Sequence, residues 1–170
     1  MKVFKAPEKY NLAGMIGVFL SGSIEQDKAE KWQDRLTEAL ASDSDLDLER
    51  LIVLNPRREE WDASWVQEKE NAQFHEQVSW ELQAQEASTV IAMYYDPATK
   101  SPITLLELGL FSDDRMVVLC PKGYWRKGNV DVVCERYGVT QAETWEDFVK
   151  KIKEKILERE TKSLTTLWGN

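Results

Sequence analysis

One histidine, His75, and two cysteines, Cys120 and Cys134, are all that this chain of 170 residues carries of the side chains that most often hold zinc. With no second histidine and no metal-ligand spacing between the cysteines, neither a zinc site nor a Ser/His/Asp hydrolase can be assembled. His75 reads as structural or solvated. The two thiols lie in apolar, strand-like runs and fit a reducing compartment. Basic residues are in deficit, 22 Lys and Arg against 30 Asp and Glu, and the net charge of −8 opposes extended contact with a nucleic-acid polymer or an anionic membrane. No apolar run approaches membrane-spanning length, and residues 1–11 have no long apolar core behind their lysines, so a soluble, cytoplasmic protein is expected. The G-x-G-x-x-G fingerprint is missing too, which disfavours a nicotinamide-dependent Rossmann enzyme. No repeat, low-complexity segment or linker divides the chain. The reading is a single domain over 1–170, with 161–170 as a loose tail.

What the chain does have is alternation. Residues 15–21 form a short, almost wholly apolar run, the pattern of a strand covered on both faces. A Ser-Gly-Ser turn follows, and then Ala29, Trp32, Leu36, Ala39 and Leu40 recur at helical spacing. Leu51-Ile-Val-Leu54 is a second buried strand, closed by Asn55-Pro56. Phe74, Val78 and Leu82 at i, i+4 and i+8 predict a helix over 72–86, and a third strand follows at 89–95. Ser101 as N-cap and Pro102 at the first helical position open another helix. A fourth strand is expected at 115–120, a fifth strand or edge piece at 130–134, and a last helix carries Trp145, Phe148, Val149, Ile152 and Ile156. Such alternation calls for an α/β three-layer sandwich, a parallel sheet of about five strands with helices on both faces. Ligands bind beyond the carboxyl ends of such strands, where 21–24, 55–62 and 96–107 must lie.

Three constellations at that end carry chemistry. In the helix opened by Pro102, Ile103, Leu106, Leu110 and Phe111 share one stripe, and Glu107 falls within it. An unpaired carboxylate pointing inward is costly, so Glu107 needs a partner, a shifted pKa or a ligand, unless it sits at the stripe's edge and reaches solvent or an Arg. Ser21-Gly22-Ser23 places backbone N–H groups and two hydroxyls at a helix opening, suited to a phosphate or a sugar hydroxyl, or else to a plain N-cap. Asn55-Pro-Arg-Arg58 with Trp61 and Asp62 gathers two guanidinium groups, an indole and a carboxylate past a strand end. Asp62 facing Glu107 would supply the acid that retaining displacement at an anomeric carbon requires, whereas a salt-bridged surface loop is the plain alternative. The long segment 57–71 reads as a ligand cover. Gln77, Trp80 and Glu81 lie near one end of their helix, with Trp80 off the Phe74/Val78 stripe, where it lines a pocket or an interface.

Val18-Phe-Leu-Ser-Gly-Ser-Ile24, Trp32-Gln33, Asn55-Pro-Arg-Arg58 with Trp61-Asp62, Phe74 to Glu81 and Leu105-Leu-Glu-Leu-Gly109 together resemble the nucleoside 2-deoxyribosyltransferase family. The likeness spans roughly 16–120, and the branch it points to is the one with Asn-Pro-Arg-Arg loops. It implies a flavodoxin-like fold, oligomers, and transfer of a 2-deoxyribosyl group between nucleobases or, in some relatives, hydrolysis of deoxynucleotides, with no metal or organic cofactor. It maps the nucleophile onto Glu107. Ser21, Gly22, Ser23, Asn55, Arg57 and Phe19 become substrate contacts, Trp61 or Trp80 a stacking platform for the base, and Asp62 the acid. Two departures stand out: Phe19 replaces a tyrosine whose hydroxyl helps hold the nucleophile, and Ser88 replaces an acid. These motivate a second hypothesis, a nucleotide-binding or sensing module of the same fold without chemistry.

Overall fold

Side chains alternate between two apolar faces along every central strand, so each strand is buried above and below. In the computed structural model, which describes residues 1–24, 29–58 and 66–168, the strands are β1 (Lys2–Lys5), β2 (Ile16–Gly22), β3 (Leu51–Asn55), β4 (Val90–Tyr94), β5 (Met116–Leu119) and β6 (Thr140–Ala142). They form one sheet in the order β1-β3-β2-β4-β5-β6, and every pairing is parallel. Ile16, Val18 and Leu20 of β2 and Val90 and Ala92 of β4 face a layer closed by Trp32, Leu36 and Leu40 of α1 (Trp32–Ala41) and by Phe148, Ile152 and Ile156 of α5 (Trp145–Trp168). Phe19, Ile91 and Met93 face the opposite layer. Trp80 and Ala84 of α2 (Ala72–Ala87), Leu108 of α3 (Pro102–Phe111) and Val130 and Cys134 of α4 (Lys127–Tyr137) close that one. Each large side chain so enclosed contributes about 1.5–3 kcal/mol of burial. The result is the three-layer, flavodoxin-like α/β sandwich.

The chain changes direction across the sheet at β2: β3 lies on one side of it and β4 on the other. A crevice opens at the carboxyl ends of strands beside such a switch. Gly22, the last residue of β2, has φ 146°, and a Cβ there would stand 2.3 Å from the Tyr94 carbonyl oxygen. Only glycine lets β2 run that close to β4 while turning toward the crevice. Asn71 opens α2 by accepting from the N–H groups of Gln73 and Phe74. At the far end of α2, one nitrogen of Arg115 donates to the carbonyls of Gln85, Glu86 and Ser88, while its guanidinium also grips Asp113. These are orphan carbonyls of a helix end that would otherwise lack donors.

The structure departs from the sequence reading in several places. β1 adds a sixth strand, which four residues bounded by lysines did not announce. Residues 130–134 are helical, inside α4, and Cys134 is a helix residue rather than a strand residue. Val130 and Cys134 are the buried pair there, four apart, while Val132 between them is exposed. The period is that of a helix, and Gly138 in the left-handed region ends it by placing its N–H on the Cys134 carbonyl. The strand that follows is β6. Helix α1 begins only at Trp32, with Lys31 at its cap position, so neither Ser21 nor Ser23 caps it. Ser101 does precede Pro102, but its φ is 44° and its side chain makes no cap bond. Helix α5 runs to Trp168, through most of the stretch read as a tail. Cys120 and Cys134 are both buried and free, and burial pushes each thiol up to about 12.

Candidate functional site

A cavity of about 870 Å³ lies over the carboxyl ends of β2 and β3, between α2 and α3. Its floor is made by Ser21, Gly22, Asn55 and Pro56, and Arg57 and Arg58 stand at its rim. Phe74, Val78 and Leu82 wall one side from α2, and Ile103, Leu106 and Leu110 wall the other from α3. Glu81 and Glu107 enter it from the two helices. A volume of this order, apolar along its walls with a few convergent polar groups, suits a nucleoside-sized ligand.

Glu107 is 8% exposed, on the inward side of α3 as expected, but not for the expected reason. The stripe of Ile103, Leu106 and Leu110 is turned to the cavity's open side rather than to the sheet, with exposures of 60%, 58% and 57%. The buried face is instead Thr104, Glu107 and Leu108. Tyr95 ties that face to the sheet by donating its hydroxyl to the Thr104 carbonyl at 3.1 Å. Both oxygens of Glu107 have donors: the Ser21 hydroxyl reaches Oε2 at 2.7 Å and the Gln85 amide reaches Oε1 at 2.8 Å. Burial raises the Glu107 pKa, and these two bonds oppose the rise. The carboxylate is thus held without the tyrosine hydroxyl that Phe19 lacks. A charge-assisted bond of this kind contributes about 1.5–3 kcal/mol toward keeping the ionised form in place.

Glu81 is the second carboxyl of the cavity. Burial, reinforced by the charge of Glu107, lifts its pKa to about 7, against the opposing bond from Gln77. Gln77 spends its amide nitrogen twice, on the Pro56 carbonyl at 2.9 Å and on Glu81 Oε1 at 2.8 Å. Its own oxygen, sheltered from solvent, finds no donor among the described residues. An acceptor left in that state costs about 1–3 kcal/mol. Two carboxyls thus share one cleft, both raised chiefly by burial, Glu107 with a donor on each oxygen and Glu81 with one from Gln77.

The other residues named from sequence divide into three groups. Ser21, Gly22, Asn55 and Arg57 line the cavity. The Asn55 side chain accepts from the Arg57 N–H, and Arg57 reaches Gln33 Oε1 at 3.5 Å. Ser23, Phe19 and Trp80 are buried and do not line it. The Ser23 hydroxyl joins those of Thr99 and Ser101 at 2.8 and 2.6 Å and accepts from the Asp96 N–H. Phe19 packs on Trp80, whose indole donates to the Glu8 carbonyl at 2.8 Å and meets Tyr10 edge-on. Both rings belong to the core, because β2 turns Phe19 to the α2 layer and Trp80 covers it. Trp61 and Asp62 lie outside the described residues. Among the described residues, no group of three His, Cys, Asp or Glu side chains is placed to hold a metal, and no helix is long and apolar enough to cross a membrane.

Gln77, Glu81 and Gln85 recur every fourth residue, a polar row beside the apolar row of Phe74, Val78 and Leu82. That adjacency was the available signal for two roles the sequence reading did not assign, the second carboxyl and the amide that grips Glu107. No curated protein matches the chain. A family profile described as nucleoside 2-deoxyribosyltransferase like matches residues 16–124.

Proposed function

This chain belongs to the nucleoside 2-deoxyribosyltransferase-like family, and from that membership we propose that it transfers or hydrolyses the N-glycosidic bond of a 2-deoxynucleoside or deoxynucleotide. An oxygen of Glu107 attacks C1′ as the bond from C1′ to the base nitrogen breaks, through an oxocarbenium-like transition state. Glu81 delivers its proton to the departing base, the role that the sequence reading gave to Asp62. Water or a second base then attacks C1′, the glycosyl ester to Glu107 breaks, and the incoming group's proton returns to Glu81. These steps call on side chains alone, Glu107 for the developing positive charge at C1′ and Glu81 for the proton of the departing base. The observation that carries the reading is the buried Glu107 with a donor on each oxygen, in a cavity it shares with a carboxyl lifted to about 7.

The same reading includes a second copy of the chain and a cytoplasmic setting. Helix α3 leaves Ile103, Leu106 and Leu110 more than half exposed along the edge of the cavity they border, and among the described residues nothing outside the helix's own backbone and the glycine's neighbours lies within 4 Å of where a Gly109 Cβ would stand. Exposed apolar side chains grouped on one helix favour burial against another surface. A glycine with open space around it suits close approach of another helix.

Incubation of the protein with deoxynucleosides and their 5′-monophosphates, with and without a free acceptor base, tests the proposal by chromatography. Release of free base or formation of a new nucleoside is expected from the wild type, and neither from Glu107→Ala, with circular dichroism unchanged. Turnover by the alanine variant would dismiss Glu107 as nucleophile. Calorimetric binding with no product from the wild type would favour the sensing module.

A further inference from the structure

Among the described residues, four cations line the cavity, Lys5, Lys31, Arg57 and Arg58, against the three carboxyls of Asp34, Glu81 and Glu107. That is an excess of positive charge in a chain whose net charge is −8. From the way two of these cations are held, we propose that Arg57 and Lys31 seat the 5′-phosphate of the substrate, so that the chain acts on deoxynucleoside 5′-monophosphates in preference to deoxynucleosides. The inference rests on the glycosyl-transfer reading and names its substrate class.

The hydroxyls that the sequence offers to a phosphate are already engaged. Ser21 donates to Glu107 at 2.7 Å, and Ser23 is buried against Thr99 and Ser101 and does not line the cavity. An anion must find its partners elsewhere. Phe19 and Leu54 are in register, so Ser21 and Arg57 leave the same end of the sheet from neighbouring strands about 4.8 Å apart. The side chain that holds the nucleophile and the cation thus stand one strand apart, and a 5′-phosphate lies only a few bonds from C1′.

Arg57 is fixed at both ends. Its N–H donates to Asn55 Oδ1 at 2.9 Å, and its guanidinium reaches Gln33 Oε1, on the first turn of α1, at 3.5 Å. That contact brings it to the start of α1, where Lys31 is the cap residue and no side chain caps the helix. Lys31 is exposed and Arg57 half-buried, and both have surface on the cavity. Among the described residues neither forms an ion pair: Asp34, on the same turn, meets neither, whereas Arg58 stands 3.7 Å from Glu76. A half-buried guanidinium cannot shed its charge, so it gains from an anion that enters with the substrate. Its planar fork fits two phosphate oxygens, Lys31 adds a point charge, and the positive end of α1 acts in the same direction. A nucleoside leaves both cations facing water, and a site built to pair with one group discriminates against the analogue that lacks it.

The test compares the adenine, guanine, cytosine and thymine deoxynucleosides with their 5′-monophosphates as substrates. For the base turned over fastest, wild-type kcat/KM should favour the monophosphate by about tenfold or more. Lys31→Met and Arg57→Met keep an apolar stem and lose the charge. Each should shrink that preference, and the double variant should bring the two forms within about threefold, whatever its overall rate. Equal use of nucleoside and monophosphate by the wild type, or a preference that survives in the double variant, would overturn the assignment while leaving the glycosyl chemistry standing. Inorganic phosphate added to the nucleoside separates a free anion from an esterified one: 2-deoxyribose 1-phosphate as product would place the anion on the acceptor and likewise overturn it. If no substrate is turned over, the glycosyl reading fails, and calorimetric binding of the same pairs is read instead. Monophosphate binding about tenfold tighter than the nucleoside's, with the difference lost in the double variant, then upholds the phosphate seat. Equal binding removes it.

Discussion

Replacing Glu81 by glutamine removes a titrating group that the fold holds at a disadvantage, and stability should respond to pH in one direction only. The folded pKa of about 7 stands above the ordinary carboxyl value of 4.5, so the native state binds this proton more tightly than the unfolded chain does. Below about pH 4 both states are protonated and the carboxyl contributes no pH-dependent penalty. As pH rises from the unfolded value through the folded one, ionisation favours the unfolded chain, and stability is progressively lost until about pH 8. The separation of the two values corresponds to on the order of 3 kcal/mol. For a chain of this length that is roughly 6–12 °C in melting temperature. The introduced amide does not titrate, keeps a partner for the Gln77 side chain and escapes the loss. Glu81→Gln should therefore melt close to the wild type at pH 4 and several degrees above it at pH 8, in circular dichroism melts taken at both. A gap that is the same at the two pH values would refute the reasoning, since it would mean that packing, not ionisation, separates the proteins. Turnover of a poor leaving group by the same variant should drop by roughly 10²–10⁴-fold, the usual contribution of a positioned acid.

Gln85→Met tests how Glu107 is held: with its Oε1 donor gone, burial is opposed by Ser21 alone. The acid limb of the pH–rate profile should then move to higher pH, with a loss of activity that is largest on the acid side and narrows as pH rises. A uniform loss at all pH values would count against a positioning role. Leu106→Glu puts a charge on the exposed apolar edge of α3 that borders the cavity, and light scattering after size exclusion should show a smaller assembly than the wild type. A wild type that is already monomeric, or a variant of unchanged mass, removes that contact from the proposal.

Much of the architecture was written locally. Short runs such as 51–54 and 89–95, apolar at nearly every position, have only one economical place, the middle of a parallel sheet, and the residues between them repeat at helical spacing. Reading failed where local pattern was ambiguous. Val130 to Cys134 supports a strand or a helix on composition, and only the four-residue spacing of its buried members, with Gly138 to end the turn, decides between them. The stripe on α3 was similarly two-sided: in a helix apolar nearly all round, periodicity cannot say which face meets the sheet.

Glu107 was legible as a carboxylate out of place among apolar neighbours, and the strand ends were legible as the side of the sheet where a ligand would sit. Its partners were not. Ser21 is 86 residues away and Gln85 is 22 residues away, and they converge only because β2 and β4 are paired in register while α2 and α3 stand on the same face. The raised pKa of Glu81 was likewise decided by packing, because a pKa is a property of surroundings: it follows from burial between α2 and the cavity and from the charge of Glu107 beside it. Residue order determines what each segment prefers to be. The chemical character of a side chain at the crevice depends on which distant segments are brought against it, and that follows from the sheet's crossing order, which no short window of sequence contains.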